Sequence, residues 1–114
     1  MPIYSRRLLD QATVNDGDTL DLSDAPDLGE YHTLGLAVTV HEAGVGTAPL
    51  LVVEHAASNA TDYYGAFSTP AQVALDVTGT TFVQVDAFLR WVRWTTSGSL
   101  SSPATVTLDL IAKA

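Results

Sequence analysis

Two histidine–glutamate pairs, His41-Glu42 in "VHEAG" and Glu54-His55 in "VEHAA", hold the residue types of a metal centre. If they end neighbouring strands, two imidazoles and one carboxylate fit a two-histidine, one-carboxylate site. The H-x-H spacing of jelly-roll metalloenzymes is missing, however, and adjacent residues on a strand face opposite ways. Solvated or hydrogen-bonded strand-end histidines account for the pairs equally well. The acidic run "NDGDTLDLSDAPDLGE" offers carboxylates to calcium, but it departs from the D-x-[DN]-x-[DN]-G loop and reads as a hairpin turn followed by a polar loop. The serines cluster in "TSGSLSSP" with no G-x-S-x-G elbow. "EAGVGTAP" lacks the lysine and the following helix of a phosphate-binding loop. No cysteine is present, which excludes a disulfide framework, a thiolate zinc site and a cysteine nucleophile together. The expectation is a non-enzymatic chain without metal or cofactor.

What stands out instead is "FLRWVRWTTSG", Phe88 to Gly98, which holds both tryptophans and two of the five basic residues. As a strand it puts Phe88, Arg90, Val92 and Trp94 on one face and Leu89, Trp91, Arg93 and Thr95 on the other. Each face then carries an aromatic and an arginine, so both should be covered. Trp91 and Trp94 cannot share one core, and one of them should lie outward under a loop, in a subunit interface or in a ligand groove. Tryptophan and arginine together are the usual anchors of protein interfaces. Arg90 and Arg93 are expected to pair with acids, within the domain on one face and across a subunit boundary on the other.

The elements that must position this strand are read from period. No window of about a dozen residues keeps a helical spacing of apolar positions, whereas alternating runs recur between turn residues. "YHTLGLAVTVHE" places Leu34, Leu36, Val38 and Val40 inward; "QVALDV" places Val73, Leu75 and Val77 inward; "ATVTLDLIAKA" does the same with Val106, Leu108, Leu110 and Ala112. "AGVGTAP", "STPA" and "SGSLSSP" read as breaks, and "TLDLS", "LLVVEHAA", "YYGAF" and "TFVQVDA" as further short strands. The fold class is therefore all-β: an antiparallel β-sandwich or jelly roll of about eight strands. Residues 1–11, with Tyr4, Arg6 and Arg7, read as an extended N-terminal arm or edge strand, and residues 12–114 as the sandwich domain. An arm would dock on an acidic neighbour through arginine–carboxylate pairs.

The chain of 114 residues fits one domain, with 13 acidic against 5 basic side chains and a formal charge of −8. That sign repels phosphate backbones, so nucleic acid is not an expected partner. No run approaches a membrane span of about 18 apolar residues, nor does "MPIYSRRLLDQ" resemble a signal peptide, so the expectation is synthesis in the cytoplasm and no membrane partner.

The layout as a whole resembles a group of small phage structural proteins found among virion head and tail components. Their pattern runs from a "vdlg" lead-in through a small-residue loop "GtsPtL" and an "S-x-d" turn to a late "rYvRv…t.sGt…" strand. Here "GTAPLLVVEHAAS" stands for the loop and its strand, and "LRWVRWTTSGSLSSPATVTLDLIAK" for the late strands, with Trp91 at the family's tyrosine and Arg93 at its arginine. The likeness covers residues 18 to 113; "SNATDYY" lacks the usual Asp-Gly pair, and "MPIYSRRLL" is not fixed by the pattern. The resemblance implies an assembling virion protein, a capsid decoration or head–tail accessory protein, that stabilises the particle by bridging subunits. Its partners would be the major capsid or other virion proteins and copies of itself, a trimer being favoured. The residues expected at the partner interface are Tyr4, Arg6, Arg7, Arg90, Trp91, Arg93 and Trp94. The alternative is a carbohydrate-binding or adhesin-type sandwich using an exposed Trp/Tyr platform.

Overall fold

In the computed structural model, which describes residues 3–85 and 88–114, two antiparallel sheets face each other across one core. Met1 and Pro2 of the expected arm, and Asp86-Ala87 of "TFVQVDA", lie outside the described residues. The strands are β1 (Ile3–Val14), β2 (Thr33–Glu42), β3 (Val45–Ala56), β4 (Gly65–Ala74), β5 (Gly79–Val85), β6 (Trp91–Ser102) and β7 (Ala104–Lys113). One sheet has the order β1-β7-β2-β5 and the other β4-β3-β6. An eighth, irregular segment runs along the free side of β6, bridging Thr19 to Thr95 and Asp27 to Trp91. With that segment counted, the chain crosses between sheets in the order of a jelly roll.

The strands with clean alternation form the middle of the four-stranded sheet. Val106, Leu108, Leu110 and Ala112 of β7 are fully buried, as are Leu34, Leu36, Val38 and Val40 of β2. Each leucine or valine so placed contributes about 1.5–3 kcal/mol by leaving water. The register pairs these two rows directly, Leu34 with Ala112, Leu36 with Leu110, Val38 with Leu108 and Val40 with Val106. From the other sheet Leu51, Val53, Phe67, Ala71, Val73, Val92 and Trp94 complete the core.

Several expected breaks are strand instead. "AGVGTAP" enters β3, and "SGSLSSP" continues β6 to Ser102. "STPA" lies inside β4, where the ladder with β3 slips so that Glu54 meets Ala66 but Val53 meets Ala71. Gly, Ala and Pro read as loop residues from composition, yet here they occupy bulges. Conversely "TLDLS" is a single bridge followed by one 3-10 turn at Leu22–Asp24, and Val77 sits exposed in the turn after β4. Residues 3–11 lie along β7 from Ile3↔Lys113 onward as the edge strand, and no extended arm stands away from the sheet among the described residues.

At the open end of the β3–β6 ladder the register shifts between Thr47 and Leu50, and Ala48 takes φ 44°. Gly98 lies opposite with φ 72°, and a Cβ there would run into the Ala48 carbonyl. Gly17 has a similar φ of 76° with open space around it. Alanine at Gly17 should therefore cost only the left-handed strain, about 1 kcal/mol. Alanine at Gly98 adds a backbone collision and should cost about 3 kcal/mol or more. Urea unfolding of Gly17→Ala and Gly98→Ala checks this; equal losses would show that the ribbon yields freely.

Candidate assembly surface

The strand with two occupied faces is β6, and the chain covers both. Trp94 points into the core at 7% exposure, beside fully buried Val92. Its indole N–H has no acceptor among the described residues. Trp91 and Arg93 face outward. Arg93 lies directly across the ladder from Glu54 and donates from Nε to Glu54 Oε1 at 3.0 Å. Its guanidinium also sits 4.5 Å from the centroid of the Tyr64 ring, a cation–π contact. The Tyr64 hydroxyl donates to Asn59 Oδ1 at 2.7 Å, and Asn59 Nδ2 donates to the Leu22 carbonyl at 2.8 Å. This relay ties β3, β6, the β3–β4 loop and the β1–β2 connection together over the outer face. Burial raises the Tyr64 phenol above its ordinary value.

The other expected interface residues are spread out. Arg90, just before β6, grips Asp27 with two hydrogen bonds of 2.8 and 2.7 Å and lies 5.5 Å from the Trp91 ring centroid. The hydrogen bond from Arg90 holds the Asp27 carboxyl below its usual range. Arg7 grips Asp109 of β7 on the outer face of the first sheet, at 2.7 and 3.2 Å. Tyr4 packs its ring 5.9 Å from that of Tyr31 at the core margin. Arg6 lies half-buried two residues along β1 from Tyr4. Trp94 thus leaves the surface altogether, and Arg7, Arg90 and Arg93 hold acids of their own chain. The expected boundary-crossing arginine on β6 has its carboxylate partner within the domain.

The histidine–glutamate pairs are separated as well. β2 and β3 belong to different sheets, so His41 and His55 are not on neighbouring strands. His41 Nε2 meets the Thr107 hydroxyl at 2.8 Å, and His55 Nδ1 accepts the Leu89 N–H at 2.9 Å. The acids of the 15–30 run are used locally: Asp16 accepts from Leu100 N, Asp18 from Asn15 N and Asp21 from Ser23 N. Among the described residues no group of three or more such ligands converges on a point.

What sequence reasoning missed is a trough on the outer face of the four-stranded sheet. Its floor is Gly35 and Ala37 of β2. Ile111 on β7 and Gln84 on β5 flank Gly35, while Asp109 and Phe82 flank Ala37. The walls stand two strand spacings apart, about 9.5 Å, and the trough holds about 400 Å³. Phe82 is 80% exposed and Ile111 44%. The signal was present in "LGLAV", whose outward positions are small, and in "TFVQV", where Phe82 falls out of phase with Val83 and Val85.

Neither a family model nor a curated protein sequence matches the chain. Among solved structures it is similar to a subunit of Bacillus endospore appendages, described as disulfide-linked pili, with TM-score 0.57 at 14% identity, covering 98% of this chain and 88% of that one. It is also similar to the Clostridium thermocellum xylanase 10B fragment with CBM22-1 and GH10 modules, with TM-score 0.50 at 14% identity, covering 95% of this chain but 21% of that one. The PRD1 vertex protein P5 follows with TM-score 0.48 at 14% identity, covering 94% of this chain and 85% of that one. At 14% identity the first two likenesses show the fold alone.

Two outcomes test these internal contacts. The Arg93–Glu54 pair is shielded, with side chains 13% and 18% exposed, whereas Arg90 and Asp27 are 58% and 38% exposed. Arg93→Met should therefore cost about 2 kcal/mol by stranding Glu54, and Arg90→Met no more than about 0.5–1 kcal/mol. Denaturation curves rank the two, and the reverse order would refute this account of β6.

The second outcome concerns His55, whose imidazole is pushed below the ordinary 6.5, chiefly by burial, with a backbone hydrogen bond at Ala66 acting the other way. The unfolded chain takes up this proton near pH 6.5 and the folded one only lower. Its contribution to stability is complete above that value and declines as pH falls from 6.5 towards the folded pKa. His55→Asn keeps an acceptor for the Leu89 N–H but does not titrate. Stability measured from pH 7 to 5 should be flatter in that variant than in the wild type.

Proposed function

We propose that this chain is a non-enzymatic structural protein of a virion, a capsid decoration or head–tail accessory subunit that docks the outer face of its four-stranded sheet on the shell. The observation that carries this reading is the trough itself: a small-residue floor between exposed Phe82 and Ile111, on a sheet face where Arg7 is paired with Asp109 and Thr39 with Thr80. Apolar side chains exposed to water on a rigid sheet gain by association, and a subunit that binds the assembled shell preferentially stabilises it by mass action. The jelly-roll order and the resemblance of "LRWVRWTTSG" to late strands of small phage structural proteins support it. The pilus subunit with the same fold shows that such a sandwich can build assemblies, although disulfide linkage is closed to a chain without cysteine.

A carbohydrate platform fits less well. Trp94 is in the core, Tyr64 lies against Arg93, and the well-exposed rings Tyr63 and Phe82 belong to different elements, the β3–β4 loop and β5.

Mass spectrometry of purified, nuclease-treated particles from cells making this chain is the test. The chain is expected in fixed ratio to the main shell protein, and Ile111→Glu should lower its copy number at least tenfold, an order-of-magnitude expectation for burying a charge in an apolar contact, with its melting temperature kept. A chain abundant in the soluble fraction and absent from particles would overturn the reading.

A further inference from the structure

Two sheets have four outer edges, and each unpaired edge is a template for another strand. Three are guarded. β1 carries Arg6, Arg7 and Asp10, breaks register twice, and has Gln11 at φ 45°. β4 contains Pro70, which has no N–H to offer, within a four-residue slip of its ladder. The free side of β6 is occupied by the segment around Thr19 and Asp27, with backbone bonds Leu20 N to Trp94 O, Leu28 N to Arg90 O and Thr96 N to Asp18 O.

The fourth edge, β5, has none of these devices. "GTTFVQV" is uncharged, free of proline and rich in β-branched and aromatic residues. Its ladder with β2 runs without a shift from Leu34↔Val85 to Val40↔Gly79. It also bears the most exposed large apolar side chain described, Phe82.

We infer that β5 is a self-association edge, where a second copy of this chain adds antiparallel to join two four-stranded sheets into one of eight strands. The occupant follows from the page in three steps. First, the other three edges are guarded, so among the described strands β5 can meet only β5 of another copy, and the assembly closes as a two-fold pair. Second, the chain carries −8 overall, so like copies repel, yet β5 itself brings no charge into the contact. Third, the strand is self-complementary. Full-length pairing of Gly79–Val85 with itself sets Phe82 opposite Phe82 of the other copy. Thr80 then meets Gln84 on the outer face, and Thr81 meets Val83 on the inner. The outer row gains an aromatic pair, and no like charges oppose. The two troughs become neighbours on one continuous face. The inference does not depend on the virion reading, since the pairing is a property of the purified chain.

Native mass spectrometry and sedimentation across a concentration series test it, with a pair of twice the 12.1 kDa chain mass expected. The contact is small, so dissociation on the order of 100 µM or tighter is expected. Phe82→Lys sets like charges opposite and should weaken the pair at least tenfold, whereas Tyr63→Lys, on the β3–β4 loop, should leave it unchanged. Because Phe82 is exposed, neither variant should unfold the domain. Phe82→Cys places one thiol per copy at the two-fold axis, and mild oxidation should give a reducible covalent pair. A chain that stays monomeric at several hundred micromolar (several times that order of magnitude), or a pair indifferent to Phe82→Lys, overturns the inference. So does a pair in which Phe82→Cys fails to cross-link. If particle incorporation fails but the pair forms, the virion reading falls and this inference stands.

Discussion

Backbone hydrogen bonding is the constraint from which the rest of this molecule follows. A domain of two open sheets satisfies its interior strands by pairing, but every edge leaves a row of donors and acceptors to be settled another way. Much of the chain's unusual chemistry is spent there. The register breaks of β1 with left-handed Gln11, the loop-like slip of β4 and the acidic segment strapped to β6 all lie on edges, and left-handed Ala48 lies on β3 beside the end of β6.

The arginines belong to the same economy. Arg90 and its carboxylate Asp27 hold the strap to the end of β6, and the Arg93–Glu54–Tyr64 cluster holds the β3–β4 loop over its outer face. Arg7 with Asp109 staples β1 to β7 on the outer side. Four of the five basic residues lie on β1, beside β6 or within it. In a chain this acidic, each arginine has many possible carboxylate partners. Geometry selects one close by in the fold: Arg7 and Arg90 make two-pronged contacts with carboxylates at the surface, and Arg93 makes a shielded contact with Glu54 Oε1. An aromatic–arginine strand can therefore look like an interface in sequence and yet be covered from within.

The central strands were legible because period and burial coincide in them: the alternation of β2 and β7 reproduces their buried rows, with outward Thr107 the one further buried position of the two strands' alternating stretch. The all-β class and the opposed faces of Trp91 and Trp94 followed from the same rule. The edges were not legible, since a glycine or proline that lets a strand bulge has the composition of one that ends it. "AGVGTAP" and "STPA" were misread for that reason, and Val77 for the converse: an apolar residue in phase with a strand that had already turned. Long-range register was out of reach. Nothing local says that β2 and β3 lie in different sheets, which is what separates His41 from His55. Nor does anything local say that Glu54 lies opposite Arg93.

The trough shows why register matters for the surface as well as for the core. Gly35, Ala37, Phe82 and Ile111 come from three strands, and none is notable alone. Across β7, β2 and β5 the small residues align in the middle and the large ones on the flanks. A flat, well-filled outer face would offer a partner only rim contacts, which water and salt screen. A channel two strands wide lets an apolar side chain be enclosed on three sides, where burial contributes most per unit area. The surface acids set the distance over which this works. Repulsion from a net charge of −8 reaches a Debye length, about 8 Å in physiological salt. Against a second copy of the same charge, backbone pairing and enclosed apolar atoms act inside that range without adding like charges to the contact. The uncharged β5 edge and the trough beside it lie together on the same strand and are the places where this chain meets that condition.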